Sequence, residues 1–124
     1  MAHKILIADD EPNIVVSLEY LMKREGFDVR VAANGDEALA QVTEFVPDLL
    51  LLDVMLPRRN GFEVCQQLRS DPRWQHLKVV MLTAKGREIE MQKGLALGAD
   101  AYITKPFSTK ELVARVKQLL GEKA

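Results

Sequence analysis

The sequence predicts an α/β domain: one parallel sheet with helices packed on both of its faces. Three observations predict it. Short apolar runs of strand length recur five times along the chain, and amphipathic stretches of helical period lie between them. Two of the runs are apolar without alternation, the pattern of central strands covered on both sides. Strand and helix alternating in this way argue for parallel strands joined by right-handed crossovers.

The strand-like runs are residues 5–8, 29–32, 49–52, 79–82 and 101–103, and the third and fourth are the uniformly apolar ones. The first helical stripe is Ile14, Leu18, Leu21 and Met22, behind a Pro12 suited to a first turn. Ala38, Leu39, Val42, Phe45 and Val46 form a second stripe, and Val64, Cys65 and Leu68 a third. Leu112, Val113, Val116, Leu119 and Leu120 form the last. Three helix starts pair a capping residue with an acid three places on: Asn34 with Glu37, Asn60 with Glu63, and Ser108 with Glu111. Residues 86–97 make the weakest helix, because the stripe is poor and Gly94 costs about 1 kcal/mol relative to alanine. Cys65 reads as a buried structural thiol. Trp74 reads as a loop residue packed on the surface, Arg58 and Arg59 as solvated, and residues 121–124 as a frayed end.

A chain of 124 residues is one ordinary domain, expected to span 1–124 here. It hides roughly two-thirds of the surface its unfolded form exposes, which supports a core without disulfides or structural metal. The single cysteine excludes an internal disulfide and suits a reducing compartment. A net charge of −1 provides no basic field to draw the domain to nucleic acid or membrane. No apolar stretch resembles a signal peptide or a span of about 20 residues. The expectation is a cytoplasmic protein that binds neither membrane nor, directly, nucleic acid.

Polar residues stand where the strands end. Asp9 and Asp10 end the first, Asp53 the third and Thr83 the fourth, and Lys105 follows the fifth. In an open parallel sheet the ligand crevice lies at the carboxyl ends of the strands, so these residues should converge. Three carboxylates cannot share a pocket uncompensated: two charges about 4 Å apart interact by about 4 kcal/mol at an effective dielectric of 20. Either they take up protons or a cation joins them, and oxygen-only donors suit Mg²⁺. Three carboxylates then balance Mg²⁺ and Lys105. His3 and His76 are isolated, and with one cysteine no zinc site is in view. An aspartate beside metal and lysine is equipped to attack phosphorus and form an aspartyl phosphate, with the Thr83 hydroxyl available to a phosphoryl oxygen.

These stretches resemble a known family, the receiver domains of bacterial two-component response regulators. The matching residues are Ile7-Ala8-Asp9-Asp10-Glu11-Pro12, Leu52-Asp53-Val54-Met55-Leu56-Pro57, Asn60-Gly61, Met81-Leu82-Thr83-Ala84, Gly98-Ala99-Asp100-Ala101-Tyr102 and Thr104-Lys105-Pro106-Phe107. The resemblance covers essentially the whole chain. It implies a five-stranded, flavodoxin-like sheet of order 2-1-3-4-5 with five helices. It also implies that Asp53 is the phosphoacceptor, and that Asp10, Asp53 and the backbone carbonyl of Met55 bind Mg²⁺, or Mn²⁺ in its place. Asp9 would act mainly through metal-bound water. Thr83 and Tyr102 would form the switch pair, Lys105 would contact the phosphoryl group, and the Lys105–Pro106 bond would be cis. Met55 and Lys85 would flank the site where family members tune hydrolysis.

The implied function is a phosphorylation-activated signalling switch, not an enzyme beyond its own phosphorylation and dephosphorylation. Its donor would be a sensor histidine kinase or a histidine phosphotransfer protein. Its output would pass through residues 86–97, the strand holding Tyr102 and the last helix, to an output domain or effector protein. The chain could stand alone or be the N-terminal regulatory half of a longer transcription factor or enzyme. On the output face Glu111 and Arg115 fit the charge pattern that pairs receivers, but Met91, Leu97 and Ala101 stand where charged partners belong. A monomer or a weak phosphorylation-dependent homodimer is therefore expected. Two rivals fit less well. A phosphotransferase of the haloacid-dehalogenase kind needs an aspartate two residues after the nucleophile, where this chain has Met55. A flavodoxin-type carrier needs a Ser/Thr/Gly-rich phosphate loop where this chain has Asp9-Asp10-Glu11.

Overall fold

The strand Leu49–Asp53 is buried along its whole length, and the rest of the fold is arranged around it. The computed structural model describes residues 2–84 and 88–121. In chain order the elements are β1 (Lys4–Ala8), α1 (Pro12–Arg24), β2 (Asp28–Ala32), α2 (Gly35–Phe45), β3 (Leu49–Asp53), α3 (Gly61–Arg69), β4 (Lys78–Ala84), α4 (Glu88–Ala96), β5 (Ala101–Lys105) and α5 (Thr109–Leu119). All strand pairs are parallel, and the sheet order is β2-β1-β3-β4-β5. This is the flavodoxin-like order.

The alternation of side chains along the strands divides the interior into two cores. Leu6, Ala8, Leu50, Leu52, Val79 and Met81 face one side, where they pack with residues of α2 and α3. Ile5, Ile7, Leu49, Leu51, Val80 and Leu82 face the other, with residues of α1 and α5. A strand supplying both cores must be apolar at every position, which is why β3 and β4 show no alternation.

The helix starts follow their local chemistry. Asn34 Oδ1 accepts from the Glu37 amide at 2.8 Å, and Ser108 Oγ accepts from the Glu111 amide at 3.3 Å. Asn60 and Glu63 form a full reciprocal box, at 2.9 Å and 3.1 Å. Pro12 sits in the first turn of α1. Gly94 is buried in α4; a Cβ there would lie 3.3 Å from Met81 Cγ, so the glycine that weakens the helix also lets it lie close on β4.

Several expectations need correction. Trp74 is buried, with 8% of its surface exposed, because Asp71 caps a short 3-10 turn, Pro72–Trp74, that folds the ring into the core beside α3. The fourth and fifth strands run further than their apolar runs, since Thr83 pairs with Thr104 and Ala84 with Lys105. Thr83 and Lys105 are therefore strand residues. Residues 85–87 and 122–124, which include Lys85 and the start of the expected segment 86–97, lie outside the described residues. Cys65 is buried as expected; its thiol donates to the Leu97 carbonyl at 3.7 Å, and burial pushes its pKa up.

At the amino ends of the strands, Arg69 ties α3 to the turns before β4 and β5. It donates to the carbonyls of Gly98 (2.8 Å) and Trp74 (2.9 Å) and to Asp100 Oδ2 (2.8 Å). Asp100 Oδ2 also accepts from the Val79 amide at 2.8 Å.

Candidate functional site

At the opposite end of the sheet, β1 and β3 run side by side and stop together. Ala8 pairs with Leu52, so Asp9 follows one strand where Asp53 closes the other. Carboxylate oxygens of Asp9, Asp10 and Asp53 all lie within 4.8 Å of one another. Asp9 and Asp53 are buried, at 1% and 4% exposure, and Asp10 is open to solvent. Asp9 is held by a local turn, its Oδ1 accepting from the Glu11 amide at 2.9 Å. The α1 terminus takes no side-chain cap from these acids, so helix capping does not account for them. Asp53 Oδ1 accepts from the Met55 amide at 3.1 Å. Behind it, Gly61 brings α3 against the strand end: a Cβ there would lie 2.5 Å from the Asp53 carbonyl oxygen. This explains the Asn60-Gly61 pair in the sequence.

Lys105 reaches the cluster from the end of β5. Its Nζ is 2.9 Å from Asp9 Oδ2, 3.0 Å from Glu11 Oε1 and 3.6 Å from Asp53 Oδ2. Burial acts to lower the Lys105 pKa, but its hydrogen bonds to Asp9 and Glu11 and the charge of Asp53 more than reverse this, and it stands above the usual lysine value. Burial pushes the Asp53 carboxyl above the usual carboxylate range. The Met55 amide and Lys105 oppose the rise, while Asp9 and Asp10 add to it. Among the described residues the corner thus carries more negative than positive charge, which is the condition under which a hard cation with oxygen ligands is favoured.

Thr83 is buried at 2% exposure, and its hydroxyl donates to Glu90 Oε1 of α4 at 3.0 Å. Tyr102 pairs with Met81, two residues before Thr83, so both lie on the sheet face that α4 covers. The Tyr102 ring is partly exposed, at 37%. The Lys105–Pro106 peptide is cis, as expected. The loop after β3 is pinned to α2 and α3: Arg59 Nε donates to Asp36 Oδ1 of α2 at 2.8 Å and Nη1 to Gln67 Oε1 of α3 at 3.1 Å. Arg58 takes a left-handed φ of 67° at the turn and stays largely exposed.

Asp9, Asp10, Asp53 and Lys105 are therefore brought together, Met55 and Thr83 lie beside them, and Tyr102 stands further along the same face. Two participants escaped the sequence reading. Glu11 holds Lys105, and Glu90 holds Thr83. Glu11 had a usable signal, being the third acid in a row before a helix; Glu90 had none, since it lies in a helix with a poor stripe.

A family model described as the response regulator receiver domain matches residues 5–117. Among solved structures, a candidate response regulator from Chloroflexus aurantiacus superposes with a TM-score of 0.95 at 39% identity, over 98% of this chain and 100% of that one. The signal receiver domain of a signal transduction histidine kinase from Syntrophus aciditrophicus gives 0.90 at 32% identity, over 97% and 91%. The receiver domain of a sensor histidine kinase from Pseudomonas aeruginosa, with magnesium coordinated in its active-site cleft, gives 0.90 over 98% and 100%; at 24% identity it is similar in fold. Among the described residues no helix is long and apolar enough to cross a membrane. The chain belongs to the response-regulator receiver family, the signalling domains of two-component systems.

Proposed function

We propose that this chain is a phosphorylation-activated switch whose phosphoacceptor is Asp53. The observation that carries the reading is Lys105 Nζ lying against Asp9 and Asp53, in a corner where three carboxylates fall within 4.8 Å. Asp53 contributes one oxygen as nucleophile to a phosphohistidine of a kinase or phosphotransfer protein, or to a small acyl phosphate. The new bond joins that oxygen to phosphorus. The bond from phosphorus to the donor nitrogen or oxygen breaks, and the leaving group departs with its electron pair. Lys105 offsets charge on the transferring group, and the Met55 amide orients the carboxylate.

The all-oxygen donor set fits Mg²⁺, or Mn²⁺ in its place, held by Asp10, Asp53 and the Met55 carbonyl, with Asp9 acting through bound water. When bound, the ion offsets negative charge on the phosphoryl oxygens. Thr83 donates to a phosphoryl oxygen once the group has arrived, and Tyr102 follows. The change is read on α4, β5 and α5 by an output domain or effector protein. Glu111 and Arg115 are exposed on α5, whereas Ala101 is buried and Leu97 half-buried, which supports a monomer or a weak homodimer when active.

Intact-mass measurement tests the central claim. Incubation with acetyl phosphate and Mg²⁺ adds one phosphoryl group, and chelation prevents it. An Asp53→Asn variant that gains the same group with unchanged yield overturns the assignment.

A further inference from the structure

We propose that Glu90 is a positioning residue: it holds the Thr83 hydroxyl on α4 and thereby sets how readily the site accepts a phosphoryl group. The inference rests on the phosphoacceptor reading above. Sheet alternation places Thr83 on the same face as Met81, and its hydroxyl donates to Glu90 Oε1 at 3.0 Å. A threonine hydroxyl has one proton and makes one donation at a time. An ionised carboxylate acceptor makes that bond a charge-assisted one, stronger than a bond to a neutral oxygen.

Asp53 pairs with Leu82, so Thr83 lies one residue past that register on the adjacent strand. To donate to a phosphoryl oxygen carried by Asp53, the hydroxyl must first leave Glu90. The two donations exclude each other. Phosphoryl binding therefore works against the Thr83–Glu90 bond, and that bond works equally against phosphoryl binding. Because Glu90 belongs to α4, the exchange also removes a tie between that helix and β4. The helix is lightly held in any case: Ile89 is 83% exposed and Leu95 44%.

Beryllofluoride with Mg²⁺, a phosphoryl mimic, is the probe, and titration calorimetry the readout. Glu90→Ala is expected to tighten its binding by about tenfold, the scale of one charge-assisted hydrogen bond. Glu90→Gln, which keeps an acceptor without the charge, is expected to tighten it less. The gain must depend on the hydroxyl: it disappears when Glu90→Ala is combined with Thr83→Ala and persists with Thr83→Ser. Unchanged or weaker binding by Glu90→Ala overturns the proposal, and so does an equal gain in the Thr83→Ala background, which would assign the effect to charge alone. If the unaltered chain binds no beryllofluoride, the phosphoacceptor reading itself falls and this inference falls with it.

Discussion

At the amino ends of the strands, Arg69 meets three backbone carbonyls, those of Gly98, Trp74 and Gln75, and Asp100, and Asp100 in turn accepts from the Val79 amide. The Asp48 carboxylate likewise accepts from the Lys4 amide at 2.8 Å. At the carboxyl ends, among the described residues, the Lys105 ammonium meets Asp9, Glu11 and Asp53, and Asp10 belongs to the same cluster of carboxylates. One end uses charge to close the fold, with donors and acceptors matched. The other gathers charge of one sign at the expense of the folded state. The difference teaches where this fold keeps stability and where it gives it up for binding.

Removing the clamp is the strongest way to break the comparison. Arg69→Ala takes the guanidinium from Asp100 and from three carbonyls, although Asp100 keeps the Val79 amide and the Trp74 carbonyl keeps the Leu77 amide, and is expected to destabilise the domain by about 3 kcal/mol in urea titrations. Arg69→Lys should recover only part of this, because a single ammonium cannot replace the fork. A loss below 1 kcal/mol would mean that the amino end is no better matched than a surface ion pair.

Neutralising a carboxylate at the other end should have the opposite sign and a smaller size. The folded-state pKa of Asp53 is raised above its ordinary 3.8, so the folded form resists ionisation that the unfolded form accepts. That cost is absent below pH 3.8, grows as pH rises through the folded value, and is complete above it. Asp53→Asn is thus expected to stabilise the metal-free protein at neutral pH, with no gain below pH 3.8. Thermal melts in chelator at two pH values measure it. Destabilisation at neutral pH would place Asp53 among the matched charges instead.

The smallest effect sharpens the contrast at a third place. Lys117 Nζ lies 2.7 Å from Glu25 Oε1, joining α5 to the end of α1, and this contact lowers the Glu25 pKa from 4.5. A depressed carboxylate contributes stability above its unfolded value and loses it as pH falls through the folded one. The melting difference between the unaltered chain and Lys117→Ala should therefore be present at neutral pH and narrow below pH 4.5.

These two ends were not equally legible in the sequence. The strands announced themselves because β3 and β4 serve both cores and must be apolar throughout, and the three capping pairs act within one turn of chain. The corner of acids could be read because parallel topology sends every strand end to the same edge. The Arg69 clamp left no trace, since its partners are mostly backbone carbonyls, which have no sequence. Trp74 was misplaced because its burial depends on a turn set by Asp71, a choice that apolar periodicity does not register. Glu90 was invisible for a related reason: its partner lies across a helix–strand contact, and α4 shows no stripe from which its facing could be inferred.

The sheet that divides the interior has a consequence for how the sequence can change. Met22 and Leu112 lie on one side of it, Phe45 and Leu68 on the other, and the cores share strands but not side chains. Substitutions on opposite sides have no common cavity through which to compensate or conflict, so their energetic effects should add. Drift in the residues under α2 and α3 can therefore accumulate without forcing matching changes under α1 and α5. One half of such a domain is free to be refitted while the other keeps an older solution.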